Sequence, residues 1–401
     1  MSITIAILGL ALLILVHEAG HFFASLAVGL RPRRFYVGFP PPLAKVKRNN
    51  IEYAIGAIPL GGFVTIPGMH RPVAHDAERR FARAVEEAPV LTAPFERVRR
   101  ALEMEDFDGA GAALDELEQA LRAQQLSSGA LASAEKGLTE IRDALGPDAY
   151  WKAPTWKRLV AISAGPAANI ALAIVLFSFL FMTGSGKATR TVAEVDPDLP
   201  AAAAGIQAGD RIVAIDGEPV SASDIPDRVS GSEGEPITVT VRRRGEEVVL
   251  GPVRAVPIDG RHRLGFALEG TGLDPVSAVG RAFEVTGIVT KEIVLALGRL
   301  VTGEGRENVS SPIGITRASS DAVERGAENY LSVLGLISLS LALLNLLPLL
   351  PLDGGHILFS LIEGARGRFL KREVYERVSV VGLALVLLLF FVGLSNDIGN
   401  L

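Results

Sequence analysis

The sequence contains no cysteine among its 401 residues. This absence excludes disulfide bonds, thiol nucleophiles and cysteine-ligated metal sites, so a bound metal would have to be held by histidine and carboxylate side chains. Positive charge is not in excess either, because 40 basic residues stand against 45 acidic ones and the formal net charge is -5. Nucleic-acid-binding surfaces are basic, and we therefore predict no nucleic-acid partner.

Charged residues are scarce. They make up 21% of the chain, whereas hydrophobic residues make up 49% and the mean hydropathy is +0.33. This composition excludes a disordered chain and predicts a membrane protein in contact with lipid. A spanning helix needs about 20 mostly apolar residues. Four stretches qualify, at 3–30, 159–184, 331–352 and 378–394, so we predict a multi-pass α-helical membrane protein with four transmembrane helices.

The first apolar stretch has a second interpretation, as a cleaved signal peptide, because 3–16 has the length of a signal-peptide core. No lysine or arginine precedes Arg31, and ionisable residues follow the core directly. Both features are atypical of signal peptides, and we therefore predict a retained span.

The distribution of basic residues predicts the orientation, since lysine and arginine collect on the cytoplasmic side of membrane helices. One basic group, from Arg31 to Arg48, follows the first stretch, and a second, from Arg366 to Arg377, lies between the third and fourth. We therefore predict that both connections are cytoplasmic, that 185–328 is extracytoplasmic, and that both termini are extracytoplasmic.

The connections differ in predicted structure. Residues 34–66 alternate around an Asn49-Asn50 turn, which is typical of a β-hairpin. Residues 71–150 carry apolar residues at helical spacing and predict a cytoplasmic helical insertion. Its apolar stripes are Leu114, Leu117 and Leu121, and Leu131, Leu138, Ile141 and Leu145. Residues 275–300 predict an amphipathic helix, either on the membrane surface or packed under the preceding domain.

His17-Glu18-Ala19-Gly20-His21 is an H-E-x-x-H motif. On a helix the two histidines lie one turn apart on one face, so both imidazoles can reach one tetrahedral Zn²⁺. Glu18 lies beside them and can take a proton from water. Ionisable residues inside a spanning segment are costly and mark a functional site. The motif therefore predicts a zinc site in the first span, rather than polar packing between helices.

A catalytic zinc site needs a third protein ligand and an open fourth position. Asp353 is the first charge after the third apolar stretch, where prolines would end the helix and Gly354-Gly355 would allow a sharp turn. We predict Asp353 as the third ligand. His356 could also ligate, but we favour it as a partner of a ligand. The remaining histidines lie in polar contexts and are predicted to be exposed to solvent: His70, His75 and His262.

Residues 199–217 resemble part of a PDZ domain of the bacterial protease type, in which a short helix leads through a Gly-Asp turn into a strand that ends in Asp-Gly. Short predicted strands extend the resemblance over 188–268. PDZ domains bind extended peptides at a sheet edge, so the resemblance implies a site for an extracytoplasmic peptide tail. Leu264-Gly265-Phe266 resembles the loop that receives a peptide C-terminus.

Together the motifs resemble the site-2 protease family of intramembrane zinc metalloproteases, in its bacterial PDZ-containing branch of the regulator of sigma-E protease type. Besides H-E-x-x-H and Leu-Asp353-Gly354, the matching motifs are Ile58-Pro-Leu-Gly61-Gly62, Gly165-Pro-Ala-Ala-Asn169 and Ser311-Pro-Ile-Gly314. Two features depart from the family: the second proline before Asp353 falls one residue later than is common, and the insertion at 71–150 is longer than expected.

The resemblance implies a role for each site residue: Glu18 as the catalytic residue, His17, His21 and Asp353 as zinc ligands, and Asn169, Asn345, Gly61 and Gly62 as substrate-binding residues. The implied substrate is a single-pass membrane protein, either an anti-sigma factor or a remnant signal peptide, cleaved in regulated intramembrane proteolysis. The implied location is a bacterial inner membrane, with the active site toward the cytoplasm. The alternative function is a proteolytically silent PDZ-containing membrane adaptor, and the presence of Glu18 argues against it.

These expectations divide the chain into consecutive segments. In order they are transmembrane helix 1 with H-E-x-x-H at 1–30, a membrane-associated β region at 31–70, the cytoplasmic helical insertion at 71–156, transmembrane helix 2 at 157–184, an extracytoplasmic PDZ domain at 188–268, an amphipathic helix and linker at 275–328, transmembrane helix 3 with the Leu-Asp-Gly motif at 329–356, and transmembrane helix 4 at 378–396.

Overall fold

The computed structural model describes residues 1–258, 260–306 and 309–399. The predicted segments 188–268 and 275–328 include Asp259, Glu307 and Asn308, which lie outside the described residues. The helices are α1 Ser2–Ala27, α2 Ala74–Glu87, α3 Thr92–Glu103, α4 Phe107–Arg122, α5 Ser128–Leu145, α6 Thr155–Thr183, α7 Pro200–Ala203, α8 Asp224–Gly231, α9 Pro275–Thr302, α10 Pro312–Glu324, α11 Ala327–Asn345, α12 Asp353–Arg366 and α13 Arg372–Gly399. The strands are β1 Arg34–Arg48, β2 Ile51–Thr65, β3 Lys187–Val195, β4 Arg211–Ile215, β5 Glu218–Pro219, β6 Pro236–Arg243, β7 Glu246–Arg254, β8 Val256–Ile258, β9 Arg261–Arg263 and β10 Phe266–Thr271.

Four helices among the described residues are long and apolar enough to cross a membrane, namely α1, α6, α11 and α13. Large apolar side chains on them are exposed in the isolated chain, for example Phe179 at 52% and Phe391 at 60%, as lipid-facing side chains must be. The prediction of a membrane protein with four long apolar helices and a β-containing region is confirmed. The third apolar stretch is not one helix, however, because α11 ends at Asn345 and a turn separates it from α12.

The described residues divide into two compact units. The first comprises Met1–Ala173, Val289–Gly326 and Leu336–Leu401, and the second comprises Ile174–Ile288 and Ala327–Gly335. Helices α6, α9 and α11 therefore contribute residues to both units. The first unit contains α1, the paired strands β1 and β2, the helical insertion, and α12. The second unit contains strands β3 to β10.

In the first unit, β1 and β2 form an antiparallel ladder that folds back on itself. Arg34 pairs with both Glu52 and Thr65, because the two halves of β2 lie on either side of the first half of β1. The second half of β1 pairs with the first half of β2 next to the predicted Asn49-Asn50 turn, where both residues have positive φ. Residues 62–65 therefore form an outer edge of the ladder.

Helices α2 to α5 build a bundle with its own apolar core, which includes Phe81, Leu91, Leu114, Leu117 and Ile141. One predicted core position is wrong, since Leu131 is 41% exposed. Leu138 and Ile141 are buried as predicted, but in the first half of α5 the buried side is made by Ala130, Ala134 and Gly137, and a Cβ on Gly137 would lie only 2.6 Å from the Cβ of Arg80. Small residues let α5 pack closely on α2, which a pattern of large apolar residues does not reveal.

The second unit is built around a sheet with strand order β10-β3-β4-β6-β7, and β5 pairs with β4. Its core includes Ile212, Val241 and Leu264. Strand β10 lies at one edge of the sheet. The Asp210 side chain is only 1% exposed and accepts two hydrogen bonds of 2.7 Å from Arg243. These bonds hold the pKa of the Asp210 carboxyl below its usual range.

A buried ion pair joins α6 to α12 in the first unit. Arg158 Nη1 donates to Glu363 Oε2 at 2.6 Å, and the two side chains are 6% and 4% exposed. Glu363 Oε1 also accepts from the Leu370 backbone N–H at 3.0 Å and from the Tyr375 hydroxyl at 3.2 Å. Because α12 begins at Asp353, this network fixes the helix that carries the predicted third zinc ligand.

We expect Glu363→Ala to lower the free energy of unfolding by about 3–5 kcal/mol, because it leaves the Arg158 charge buried without its partner. Thermal or denaturant unfolding of the detergent-solubilised chain measures the change. The matched control is Glu116→Ala, since Glu116 and its partner Arg97 are each 55% exposed and such a pair contributes less than about 1 kcal/mol. Equal effects of the two substitutions would contradict the assignment.

Candidate metal centre

Helix α1 brings the two motif histidines to one point. The helix runs without interruption from Ser2 to Ala27, so His17 and His21 lie one turn apart on the same face. Both residues are 7% exposed, and their Nε2 atoms lie 3.2 Å apart. The arrangement expected from the i, i+4 spacing is therefore present in the helix.

Asp353 reaches the same point from the first residue of α12. The turn that precedes it folds back closely on the start of this helix. A Cβ on Gly354 would overlap the carbonyl oxygens of Leu346 and Leu347, and one on Gly355 would lie 2.5 Å from the Leu350 backbone nitrogen. Both positions of the Leu-Asp-Gly-Gly sequence must therefore be glycine, because the backbone of the turn lies too close to the start of α12 to leave room for a side chain.

The three side chains fit a zinc ion. Asp353 Oδ2 lies 3.1 Å from His17 Nε2 and 3.2 Å from His21 Nε2, and these atoms form a group that can hold a metal. Ligands held at about 2.0–2.1 Å in a tetrahedral zinc site lie roughly 3.3 Å from one another. Asp353 Oδ2 has no hydrogen-bond partner among the described residues. The spacing and the donor set both suit Zn²⁺.

Helix α6 orients the second histidine. His21 Nδ1 lies 2.9 Å from the carbonyl oxygen of Ala161. Because a carbonyl can only accept a hydrogen bond, Nδ1 carries the proton and Nε2 keeps its lone pair for a metal. The helices meet closely here: a Cβ on Gly20 would overlap the Ala164 carbonyl oxygen, and a Cβ on Gly165 would overlap the His21 ring.

A cavity of about 360 Å³ opens beside the three ligand atoms. It is lined by Ile14, His17, Glu18, His21, Phe63, Val64, Ile66, Met69, Ile162, Leu341, Asn345, Pro351, Leu352, Asp353 and His356. Glu18 borders it next to the β2 edge, where a Cβ on Gly62 would lie 3.2 Å from Glu18 Cγ. The cavity thus combines a predicted base, the three candidate metal ligands and an edge strand.

The other predicted residues of this unit differ in location. Asn345, the last residue of α11, lines the cavity. Asn169 is 0% exposed, and neither atom of its side-chain amide has a hydrogen-bond partner among the described residues. Gly61 has a φ of +153°, and a Cβ there would overlap the Phe39 ring. His356 lines the cavity but is not one of the three grouped ligand residues.

Leu264, Gly265 and Phe266 belong to the second unit. Leu264 is 2% exposed and packs in the core of the sheet domain. The carbonyl oxygens of Leu264 and Gly265 accept hydrogen bonds from the backbone N–H groups of Ala201, at 2.7 Å, and Asp196, at 2.8 Å. Gly265 has a φ of +90°, which disfavours other residues. These contacts fix the backbone that leads into the edge strand β10.

The prediction that His70 is exposed to solvent is wrong. Its ring lies 4.7 Å from the Tyr375 ring and 6.1 Å from the His356 ring, measured between centroids. Burial, together with the neighbouring Arg372 and His356, lowers the pKa of His70 to about 4. A residue far along the chain covers this histidine, and its polar neighbours in the sequence give no sign of that contact.

Sequence reasoning also missed three contributors to the site. The sequence gives no indication of the Ala161 contact, because it is made by a backbone carbonyl and every residue has a carbonyl. Gly165 was noted only as part of a motif, and its steric role depends on the His21 ring. The Arg158–Glu363 pair joins residues that are 205 positions apart. The signal that could have found it is a charge beside an apolar run, since Arg158 precedes 159–184 and Glu363 follows 357–362.

The chain is similar to known peptidases. The model of peptidase family M50 matches residues 5–389, which include the three candidate ligand residues. A relative from Agrobacterium fabrum is 32% identical over 98% of this chain and 95% of its own length. The zinc metalloprotease RasP of Oceanobacillus iheyensis is 30% identical over 98% of each chain. The regulator of sigma-W protease RasP of Bacillus subtilis is 29% identical over 97% of this chain and 96% of its own.

We expect Gly165→Ala to lose most of the bound zinc, because the new methyl group would overlap the His21 ring and displace Nε2. Elemental analysis of the purified chain measures zinc per protein. Gly111→Ala is the matched control, since a Cβ there meets nothing within 4 Å, and it should keep its zinc. Full zinc occupancy in Gly165→Ala would show that α6 does not constrain the histidine.

Proposed function

Because the chain belongs to peptidase family M50, the site-2 protease family, we propose that this zinc metalloprotease hydrolyses a peptide bond within the membrane-spanning segment of a single-pass membrane protein. The observation that carries the proposal is the convergence of His17, His21 and Asp353 within 3.1–3.2 Å, with Glu18 bordering the same cavity. A scaffold or adaptor has no use for a carboxylate in that position.

In this mechanism His17, His21 and Asp353 hold the metal. When bound, Zn²⁺ supplies the Lewis acidity that polarises the scissile carbonyl and makes water a nucleophile near neutral pH. Glu18 accepts the proton of the attacking water and later donates it to the leaving amine. Its side chain faces the cavity beside the Val64 amide, so this backbone group can orient the carboxylate while the proton moves.

The edge formed by residues 62–65 is the proposed substrate-binding element. A helical substrate must unwind locally before its peptide bonds are accessible, and an extended segment can then add to a sheet edge. Phe63 and Val64 line the cavity, and Gly62 lets the strand approach Glu18. Gly61 and Gly62 thus place substrate backbone beside the catalytic carboxylate.

Two asparagines are proposed to bind the substrate backbone. Asn345 lines the cavity. Asn169 has a buried side-chain amide without a partner among the described residues, and leaving such an amide unpaired is costly. Asn169 does not line the cavity, so a substrate must displace neighbouring side chains to reach this amide, and its backbone carbonyl and N–H would then satisfy both ends.

We assign residues 188–268 as a PDZ domain on the extracytoplasmic side. Support comes from the edge position of β10 and from the buried Leu264-Gly265 segment that precedes it. The domain would obstruct substrates with bulky outer parts and bind a newly exposed tail. The name of the Bacillus subtilis relative, a regulator of sigma-W protease, favours an anti-sigma factor as the substrate, with a remnant signal peptide as the second candidate.

The proposed orientation follows from the basic connections, with both termini and the PDZ domain outside a bacterial inner membrane. The helical insertion then lies in the cytoplasm. The active site faces the cytoplasmic half, because His17 and His21 lie in the second half of α1, whose C-terminal end leads into the basic group at Arg31.

We expect Glu18→Gln to retain zinc and fold but to lose cleavage of a membrane-spanning peptide by at least about 10²-fold, because an amide cannot accept the proton. Zinc analysis and a peptide-cleavage assay measure the two properties separately. His17→Ala is the comparison, since it should lose the metal as well as the activity. Turnover by Glu18→Gln near the original rate would remove Glu18 from the mechanism.

We expect deletion of residues 188–268 to allow cleavage of a full-length substrate that the intact chain cuts only after its outer part has been shortened. The reason is that the domain acts as a filter and contributes no group to the metal centre. Cleavage rates for full-length and shortened substrates are compared in both proteins. A zinc-loaded deletion variant that cannot cut the shortened substrate would show that the domain delivers substrate instead.

A further inference from the structure

A second cavity, of about 690 Å³, lies in the sheet domain between the start of β3, the strand β4 and the segment after β5. Its lining is basic and hydroxylic, and it consists of Lys187, Ala188, Thr189, Arg190, Arg211, Pro219, Val220, Ser221, Ala222 and Thr271. No acidic residue lines the cavity in the described part of the chain. Its chemistry is therefore that of an anion site.

The three cations of this cavity are not neutralised. Other arginines of the same domain have carboxylate partners, for example Arg243 with Asp210 and Arg228 with Glu218. In contrast, no carboxylate of the described residues forms an ion pair with Lys187, Arg190 or Arg211. Arg190 makes one long hydrogen bond, of 3.3 Å, to the Val220 carbonyl, which leaves most of its five N–H donors available.

The cavity is fixed directly above the end of a membrane helix. The Leu273 backbone N–H donates to the Phe181 carbonyl at 2.8 Å, in the last turn of α6. A Cβ on Gly270 would overlap the Gly184 carbonyl, and one on Gly272 would overlap the Met182 carbonyl. The strand end that contributes Thr271 therefore lies backbone to backbone on the end of α6.

A second candidate span, α11, begins at the same level. Ser185 Oγ donates to Glu328 Oε2 at 2.7 Å, and Glu328 lies in the first turn of α11. Because two candidate spans terminate here, this level marks the boundary of the apolar membrane layer. Lys187 follows Ser185 by two residues, or about 7 Å of extended chain. The polar headgroup layer is roughly 5–8 Å thick on each side, so Lys187, one of the lining residues, lies at headgroup depth.

We propose that this cavity binds the phosphate of an anionic phospholipid in the adjacent leaflet. Arginine matches phosphate oxygens with two parallel N–H groups, and lysine adds a point charge. Thr189, Ser221 and Thr271 offer hydroxyl donors around these cations. The bound lipid would hold the membrane-facing end of the sheet domain at the bilayer surface, independently of catalysis at the metal centre.

The test uses the full-length protein in mixed micelles that contain phosphatidylglycerol and phosphatidylcholine, with bound lipid measured by native mass spectrometry. We expect preferential retention of phosphatidylglycerol. Neutralising a basic residue near a membrane surface weakens such binding about fivefold, so Lys187→Gln with Arg211→Gln should weaken it roughly 25-fold. Conservative Arg211→Lys should retain most of the binding.

The matched control is Arg261→Gln with Arg263→Gln, which removes the same charge from exposed positions of β9 in the same domain. Unchanged lipid binding in the control supports the proposal, and an equal loss in both double variants overturns it. Equal retention of phosphatidylcholine also overturns it. Two further titrations identify other ligands: tighter binding of inorganic phosphate or of an acidic peptide than of phosphatidylglycerol assigns the cavity to that ligand and rejects the lipid. Circular dichroism and thermal unfolding of each variant check that its sheet domain is folded.

Discussion

The His17 and His21 imidazoles, buried in the apolar helix α1, meet the Asp353 carboxylate at the start of α12, and the packing around them follows from that constraint. Ionisable groups in such surroundings are costly unless they are coordinated, and coordination requires ligand atoms placed within tenths of an ångström. Glycines allow such precise placement, because without a side chain two rigid backbones can pack in direct contact. Gly20 lets α1 meet α6, Gly354 lets the preceding turn meet α12, and a Cβ on Gly382 of α13 would overlap the Leu350 carbonyl of that turn.

The sequence predicted the parts of this arrangement that appear as exceptions to a pattern. His17, Glu18 and His21 interrupt an apolar run at helical spacing, and Asp353 is the first charge after another such run. The four apolar helices were predictable for the same reason, since length and hydropathy suffice to identify a span. Ionisable residues at such positions can be recognised in a sequence, because neither packing nor solvation explains their presence there.

Contacts that depend on distant elements were not predictable. The prolines before Asp353 predicted that the helix ends there, but not what the turn packs against: the Leu350 side chain is 1% exposed, and its carbonyl lies against Gly382 of α13. On α5, Ala130 and Ala134 make the contact that the larger Leu131 was predicted to make. His70 is covered by Tyr375, about three hundred residues later. In each case the environment comes from another element, and local composition does not report it.

The proposed reaction adds a constraint on backbone hydrogen bonds. A helix in a bilayer satisfies all its N–H and C=O groups internally, so an unwound substrate segment would leave several groups unpaired in apolar surroundings. The outer edge at residues 62–65 likewise offers backbone N–H and C=O groups on the side that does not pair with β1. Pairing of the two satisfies both, so recognition depends on the extended backbone more than on particular side chains. Selectivity then depends on how readily a segment unwinds, which favours spans that contain glycine or other weak helix formers over uniform runs of leucine.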